Sequence, residues 1–264
     1  MNDLNNKDAG RTSSDWDKRE TVIRLEHISK TYSIIDGAPT MAGQLSAFFS
    51  PQSRRKIQAL KDINLEIKKG EFFGIIGHNG SGKSTLLRIM AGTYIPDKGG
   101  KVFRKGSFMR LALGIGFDPE LTAHENIFLN ASIIGLSMKK IRERHDDILK
   151  MAGLEAYLHT KVKFFSTGMV SRLKFAIAVN AEADIFFMDE FFGGVGDLQF
   201  KALSAEVFKE SIVKGRTIIH VSHSLPTIKE HCQRVLLLHH GEMKALGPPE
   251  EVLPVYHQLM KQNP

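Results

Sequence analysis

The stretch that decides the fold reads Phe72-Phe73-Gly74-Ile75-Ile76 and then Gly77-His78-Asn79-Gly80-Ser81-Gly82-Lys83-Ser84-Thr85. Its first five residues are a short apolar run of the buried-strand type. Gly77 to Gly82 is a glycine-rich loop, and a helix is expected from Lys83 to near Gly92, with Pro96 beyond it. The loop fits the pattern G-x-x-x-x-G-K-[ST]. Glycines let backbone N–H groups turn inward and approach phosphate oxygens, and the helix N-terminus adds the positive end of its dipole. Lys83 sets a charge near the β- and γ-phosphates of a nucleotide, and the Ser84 hydroxyl suits Mg²⁺. A chance glycine-rich turn would match in about 1% of chains of this length at average residue usage. The flanking strand and helix make chance rarer still.

Outward from this loop the chain changes character twice. Val22–Ile28 reads as a first strand, and Ile63, Leu65 and Ile67 alternate with polar residues as a second. Residues 68–71 form a turn into the apolar run. Val102–Leu113 has strand character, interrupted at Gly106. From Glu125 to about Ala181 the pattern is helical, most clearly over Met138–Met151, where Ile141, His145, Ile148 and Leu149 fall at helical spacing. Strands resume at Ile185–Met188, Thr217–Val221 and Val235–Leu238, with a helix between the first two. This order implies an α/β core interrupted by a helical lobe near 120–180. There is no internal repeat and no low-complexity run.

Composition sets the outer limits. The chain has 264 residues, of which 42% are hydrophobic and 25% charged, as in a globular domain. Mean hydropathy is −0.16, and no run approaches the ~20 apolar residues that a membrane span needs. Residues 1–20 are polar, which excludes a secretory signal and predicts a flexible leader. One cysteine, Cys232, forbids an intrachain disulfide and suits a reducing cytoplasm. The net charge of +7 favours anionic partners without choosing among nucleotide, nucleic acid and acidic membrane.

Ile185-Phe186-Phe187-Met188-Asp189-Glu190 is an apolar run ending in two carboxylates. A parallel strand delivers its last residues to the ligand crevice at the carboxyl edge of the sheet. Asp189 would then hold Mg²⁺, and Glu190 would orient and deprotonate the water that attacks the γ-phosphate. Taken alone, the run also fits a buried strand ending in a solvated acidic turn.

Phe165-Ser166-Thr167-Gly168-Met169-Val170-Ser171-Arg172 lies 17 residues ahead of Asp189. It resembles the signature of the ATP-binding cassette (ABC) family, LSGGQ followed two residues on by Arg. The order of phosphate loop, signature, Asp-Glu pair and His223, in Thr217-Ile-Ile-His-Val-Ser-His223, also resembles that family from about Tyr32 to Ala245. The resemblance implies an α/β P-loop NTPase, an ABC nucleotide-binding domain over 21–253. Its parts would be a RecA-like core, an antiparallel β subdomain and an inserted α-helical subdomain at about 120–180, followed by a short tail at 254–264. It implies ATP and Mg²⁺ as ligands, with Gly77 to Thr85 around the phosphates, Ser84 and Asp189 on the metal, and Glu190 and His223 as catalytic groups. Tyr32 would stack on adenine. Ser166, Thr167, Gly168 and Met169 would face the γ-phosphate of ATP held by a second copy, in a head-to-tail homodimer. Ser166-Thr167 alone reads equally as an ordinary helix N-cap, a lone His as a surface residue, and Tyr32 as plain packing.

The Ser166-Thr-Gly-Met169 variant, Gly116-Phe-Asp-Pro-Glu-Leu-Thr122, Glu125-Asn-Ile-Phe-Leu-Asn130, Gly135-Leu-Ser137 and Val195-Gly-Asp197 resemble the branch that exports bacterial surface polysaccharides: O-antigen, capsule and teichoic acid. Residues 33–58 read as an insertion. In it Met41, Leu45, Phe48 and Phe49 form the stripe of a short amphipathic helix before Pro51, Arg54, Arg55 and Lys56. That helix suits an anionic lipid interface or packing on its own domain. Two departures stand out. No glutamine occurs from 101 to 198, where most cassettes have one that senses Mg²⁺, which leaves Asp118 or a neighbour as a substitute. The step from Glu190 to Asp197 is seven residues against the branch's usual six, so the role of Asp197 is open. The chain ends at Pro264 without the carbohydrate-binding domain of some O-antigen exporters, which favours a capsule or shorter O-antigen system.

The expectation is therefore the ATPase subunit of a glycan exporter, peripheral on the cytoplasmic face of the bacterial inner membrane. Two copies would dock beneath a separate transmembrane permease dimer, and the glycan would be contacted mainly through the permease. Nucleic acid is not expected as a partner: ABC ATPases acting on it usually join two cassettes or carry long coiled coils. A cassette of another transporter, such as a small-molecule importer, is the remaining alternative.

Overall fold

The computed structural model describes residues 18–35, 54–111, 116–189 and 215–262. Two sheets stack around the first core. Strands β1 (Thr21–Ile35), β2 (Arg54–Lys68) and β4 (Lys101–Arg104) form an antiparallel sheet in the order β2-β1-β4. Strands β3 (Phe72–Ile76), β5 (Phe108–Leu111), β6 (Ile185–Asp189), β7 (Thr217–Val221), β8 (Arg234–His239) and β9 (Glu242–Gly247) form the central sheet, in the order β5-β6-β7-β3-β8-β9. Its pairs are parallel except β8 with β9.

Alternation along the strands divides the core between the two faces of the central sheet. Phe73 and Ile75 meet Ile23, Leu25 and Leu60 of the antiparallel sheet, and Leu86 and Leu87 of helix α1 (Lys83–Met90). Phe72 and Ile76 point the other way. They join Phe186, Met188, Ile218 and Leu237 in a second cluster. A third cluster holds the helical lobe together: α2 (Ala123–Ile133), α3 (Met138–Ala152) and α4 (Thr167–Ala178). Helix α4 joins lobe to core, because Phe175 sits in the second cluster while Leu173, Ala176 and Ile177 sit in the third. Each lobe helix is capped at its start: α2 by Thr122 with a reciprocal Glu125, α3 by Ser137, α4 by Ser166.

Several boundaries differ from expectation. β1 and β2 run far beyond 22–28 and 63–67, pairing as far as Ile35 with Arg54. Both ends of the expected insertion at 33–58 are therefore strand, including Arg55 and Lys56, while its helix with Met41, Leu45, Phe48 and Phe49 lies outside the described residues. Antiparallel ladders continue without a buried face as long as each strand has a partner, so apolar alternation underestimates their length. The strand expected over Val102–Leu113 divides, as far as Leu111, between the two sheets as β4 and β5, and residues 112–113 lie outside the described residues. Of the leader expected at 1–20 only residues 18–20 are described, and Glu20 is tied to the fold: its carbonyl accepts from Lys69 N (2.8 Å) and its carboxylate pairs with Lys105. The expected tail at 254–264 is, through Gln262, part of helix α6 (Pro249–Gln262), packed on the second cluster through Val252, Val255, Tyr256 and Leu259. A short helix α5 (Leu225–His231) and β9 add elements that the sequence reading passed over. The helix expected between β6 and β7 lies outside the described residues.

Candidate nucleotide-binding site

Strand β3 is buried along its whole length, so the loop after it leaves the carboxyl edge of the central sheet. Close packing dictates two of its glycines. A Cβ on Gly77 (φ +151°) would lie 2.2 Å from the Leu238 carbonyl oxygen, and one on Gly82 (φ +106°) 2.5 Å from that of Ala59. Gly82 is also the N-cap of α1, and no side chain caps this helix, which leaves its first amides for a ligand. Lys83 is buried and donates Nζ–H to the carbonyls of Gly77 (2.7 Å) and His78 (2.9 Å), which holds the ammonium across the loop. Ser81 Oγ is buried without a hydrogen-bond partner. A cavity of about 310 Å³ is lined by Asn79 through Thr85 with Ala59, Val221 and His223. An uncapped helix start, an inward cation and an orphaned hydroxyl around one cavity fit a polyphosphate, and Ser84, exposed on its lining, fits Mg²⁺. A larger cavity of about 590 Å³ lies at the opposite, amino edge of the sheet. Its lining includes Lys69, Lys105, Asp184 and Arg216, so it mixes both charges and lacks a glycine loop.

Register brings the other motifs to the carboxyl edge. Val221 pairs with Ile75 on one side and with Asp189 on the other, so the end of β6, the phosphate loop and Ser222-His223 sit side by side. His223 is exposed and lines the cavity. For Asp189 the structure describes only the strand position, and Glu190, Gly193, Gly194, Val195 and Asp197 lie outside the described residues. Tyr32 reaches α1 from β1, its hydroxyl 3.5 Å from Thr85 Oγ1 and its ring below Lys30 Nζ at 5.9 Å. Asp118, considered in place of the missing glutamine, spends a carboxylate oxygen on Glu120 N (2.8 Å). Asn126 Nδ2 donates to its backbone carbonyl (2.8 Å). It closes a local turn and is absent from the cavity lining.

The signature lies elsewhere. Ser166 and Thr167 are exposed at the start of α4, and none of Ser166, Thr167, Gly168 and Met169 lines the phosphate-loop cavity. Ser166 Oγ accepts from Met169 N (3.2 Å), as an N-cap does. The sequence reading missed what fixes the loop from outside. Gly241 N donates to the Ser81 carbonyl (3.0 Å) and Lys61 N to the Gly241 carbonyl (2.8 Å), so the β8–β9 turn and β2 clamp the loop. Such long-range contacts leave no local pattern. Behind the loop, His220 is buried on β7 against Phe72, and burial pushes its pKa down to about 4.

Residues 60–193 match the sequence profile of ABC transporters. The chain belongs to the ABC transporter family. It is an ATP-hydrolysing cassette of that family, with the α/β fold expected of it. ABC transporter protein AbcA of Aeromonas salmonicida is 37% identical, over 91% of this chain and 77% of that protein. The O-antigen export system ATP-binding protein RfbB of Klebsiella pneumoniae is 33% identical, over 91% of this chain and 99% of that one. Among solved structures, the dimeric post-hydrolysis state of the ATP-binding cassette MJ0796 bound to ADP and Pi superimposes with a TM-score of 0.64 at 25% identity. It covers 86% of this chain and 98% of that one. Among the described residues no helix is long and apolar enough to cross a membrane.

Proposed function

We propose that this ABC cassette powers export of a bacterial cell-surface polysaccharide or lipid-linked glycan, as a homodimer beneath a separate permease dimer on the cytoplasmic face of the inner membrane. The observation that carries this reading is end-to-end similarity to an O-antigen export ATP-binding protein, joined to a phosphate cavity built within one chain.

ATP is the substrate. Its phosphates enter the loop of Gly77 to Thr85, where backbone amides, the Lys83 ammonium and the Ser81 hydroxyl meet them, and Tyr32 stacks on the base. Ser84 and Asp189 would hold Mg²⁺, which when bound neutralises charge on the β- and γ-oxygens. Glu190 accepts the proton of the attacking water, and His223 contacts the γ-phosphate from the end of β7. Ser166 to Met169 belong to the same event only when a second copy presents them, so ATP joins two copies and hydrolysis releases them. The permease turns that cycle into movement of the glycan.

The test is Glu190→Gln in cells and in vitro. The variant is expected to bind ATP, favour the dimer and hydrolyse slowly, while surface polysaccharide disappears and lipid-linked glycan collects on the cytoplasmic side. Normal surface polysaccharide with this variant as the sole copy would overturn the export reading, and wild-type turnover would overturn the role of Glu190.

A further inference from the structure

Three histidine rings crowd the outer side of the phosphate loop, and nucleotide binding uses none of them. His78 is the second residue of the loop, which acts through its backbone. His239 ends β8, and His240 follows at φ +49°. The His78 ring centroid lies 4.8 Å from that of His239 and 4.6 Å from that of His240, and the last two are 4.3 Å apart. One ring nitrogen from each lies within 4.8 Å of the other two. Among the described residues this is the one group of three His, Cys, Asp or Glu side chains so arranged.

The hydrogen bonds point outward from packing toward ligation. His78 Nδ1 lies 2.6 Å from the Asn79 carbonyl, which only accepts, so Nδ1 carries the proton and Nε2 keeps its lone pair. That lone pair meets only the His240 amide, at 3.4 Å. His239 is 7% exposed, and its Nδ1 is buried without a hydrogen-bond partner. An unpaired buried nitrogen costs about 1–3 kcal/mol. His240 is exposed, which gives an ion a way in and leaves a fourth position to water.

We propose that His78, His239 and His240 form a three-imidazole site for a borderline divalent transition ion such as Zn²⁺, which staples the phosphate loop to the β8–β9 turn. A metal–nitrogen bond of about 2.1 Å in tetrahedral geometry places ligand nitrogens about 3.4 Å apart, which small side-chain rotations reach from the present spacing. Imidazole selects zinc, nickel or copper, not magnesium, so the site stands apart from the oxygen-ligated metal of the nucleotide. The proposal goes beyond the nucleotide and export readings and survives the failure of either. Its test therefore uses no nucleotide.

Metal-free full-length chain is titrated with ZnCl₂ against a chromophoric chelator. One ion per chain is expected, and His239→Gln and His240→Asn each weaken binding at least about tenfold, as loss of a ligand does. Asn tolerates the positive φ at position 240. His145→Gln removes a partner from the other histidine pair, in which His124 Nδ1 is 2.9 Å from His145 Nε2, and is expected to leave zinc affinity unchanged. A second measurement needs no variant: Zn²⁺ should protect His78 and His240 of the native chain from diethyl pyrocarbonate. Zinc affinity equal in all variants, loss only with His145→Gln, or no protection of His78 and His240 would each overturn the site.

Discussion

Two helix N-termini in this molecule are read as phosphate sites, and they are built in opposite ways. Helix α1 starts at a left-handed glycine with no side-chain cap, beside a buried lysine and an orphaned serine hydroxyl. Its donors are left for a ligand. Helix α4 starts at Ser166, whose own hydroxyl already takes the Met169 amide, and both Ser166 and Thr167 face solvent. The first is a cavity complete in one chain, the second an exposed surface that, under the proposed function, would meet phosphate only when another body brings it. Half of the proposed hydrolytic site is therefore folded in advance, and half depends on association.

The sharpest way to break this contrast is to attack each terminus alone. Lys83→Ala removes a buried cation and strands the Gly77 and His78 carbonyls, so ATP affinity of the isolated chain should fall on the order of 100-fold, the scale of two charge-assisted hydrogen bonds. Isothermal titration with ATP measures it, and undiminished affinity would remove the cavity from the argument. Gly168→Glu does the converse. A Cβ at Gly168 meets only Ser166 Oγ, at 3.9 Å, so the variant should fold and bind ATP within about twofold of wild type. Its carboxylate would repel the γ-phosphate of the facing copy and lower turnover by about tenfold or more. A parallel loss of ATP affinity would mean that the two termini serve one site within the chain.

A smaller effect tests the platform beneath the cavity. His220 has a folded pKa of about 4, well below that of an exposed histidine, so the unfolded chain binds more protons between those values. Stability is full above pH 6.5 and is lost as pH falls toward 4. Between pH 7 and pH 5.5 this group alone should cost about 1 kcal/mol. His220→Gln should flatten that part of the pH dependence in urea unfolding. An unchanged slope would place the titration elsewhere, with His239 the next candidate because its pKa is also lowered.

The same contrast governs what was legible in the sequence. The phosphate loop was readable as a pattern, because its Gly77 and Gly82 answer to contacts of 2.2 and 2.5 Å that no other residue type survives. The apolar strand before it is buried as expected, and the helical lobe follows the spacing of Ile141, Ile148 and Leu149. The signature needed the family resemblance, since Ser166 at the start of a helix is by its own chemistry only a cap. What stayed hidden depends on distant partners. Over residues 30–33 and 55–58 the ladder of β1 with β2 has half-buried or exposed side chains and no buried face to betray it, and Gly241 reaches Ser81 across 160 residues of chain. Helix α6 contains Pro254, a residue that argues against a helix interior when only the sequence is read.

The smallest predicted effect concerns the base, where the cavity gives way to an open ribbon. Tyr32 lies on β1 opposite Ile57, and its hydroxyl touches Thr85 only at 3.5 Å, the outer limit of a hydrogen bond. Its value to a nucleotide is then the ring. Tyr32→Phe should leave ATP affinity within about twofold, and Tyr32→Ala should lower it about fivefold, the scale of one stacking contact. Inorganic triphosphate separates the two possible causes, because it fills the loop without a base. If Tyr32→Ala weakens triphosphate as much as ATP, the tyrosine acts by packing α1 through Thr85 and Tyr94, whose ring centroid is 6.3 Å away. If triphosphate binding is untouched while ATP binding falls, the open side of the site is where the base is held, and the contrast extends from the phosphates to the whole nucleotide.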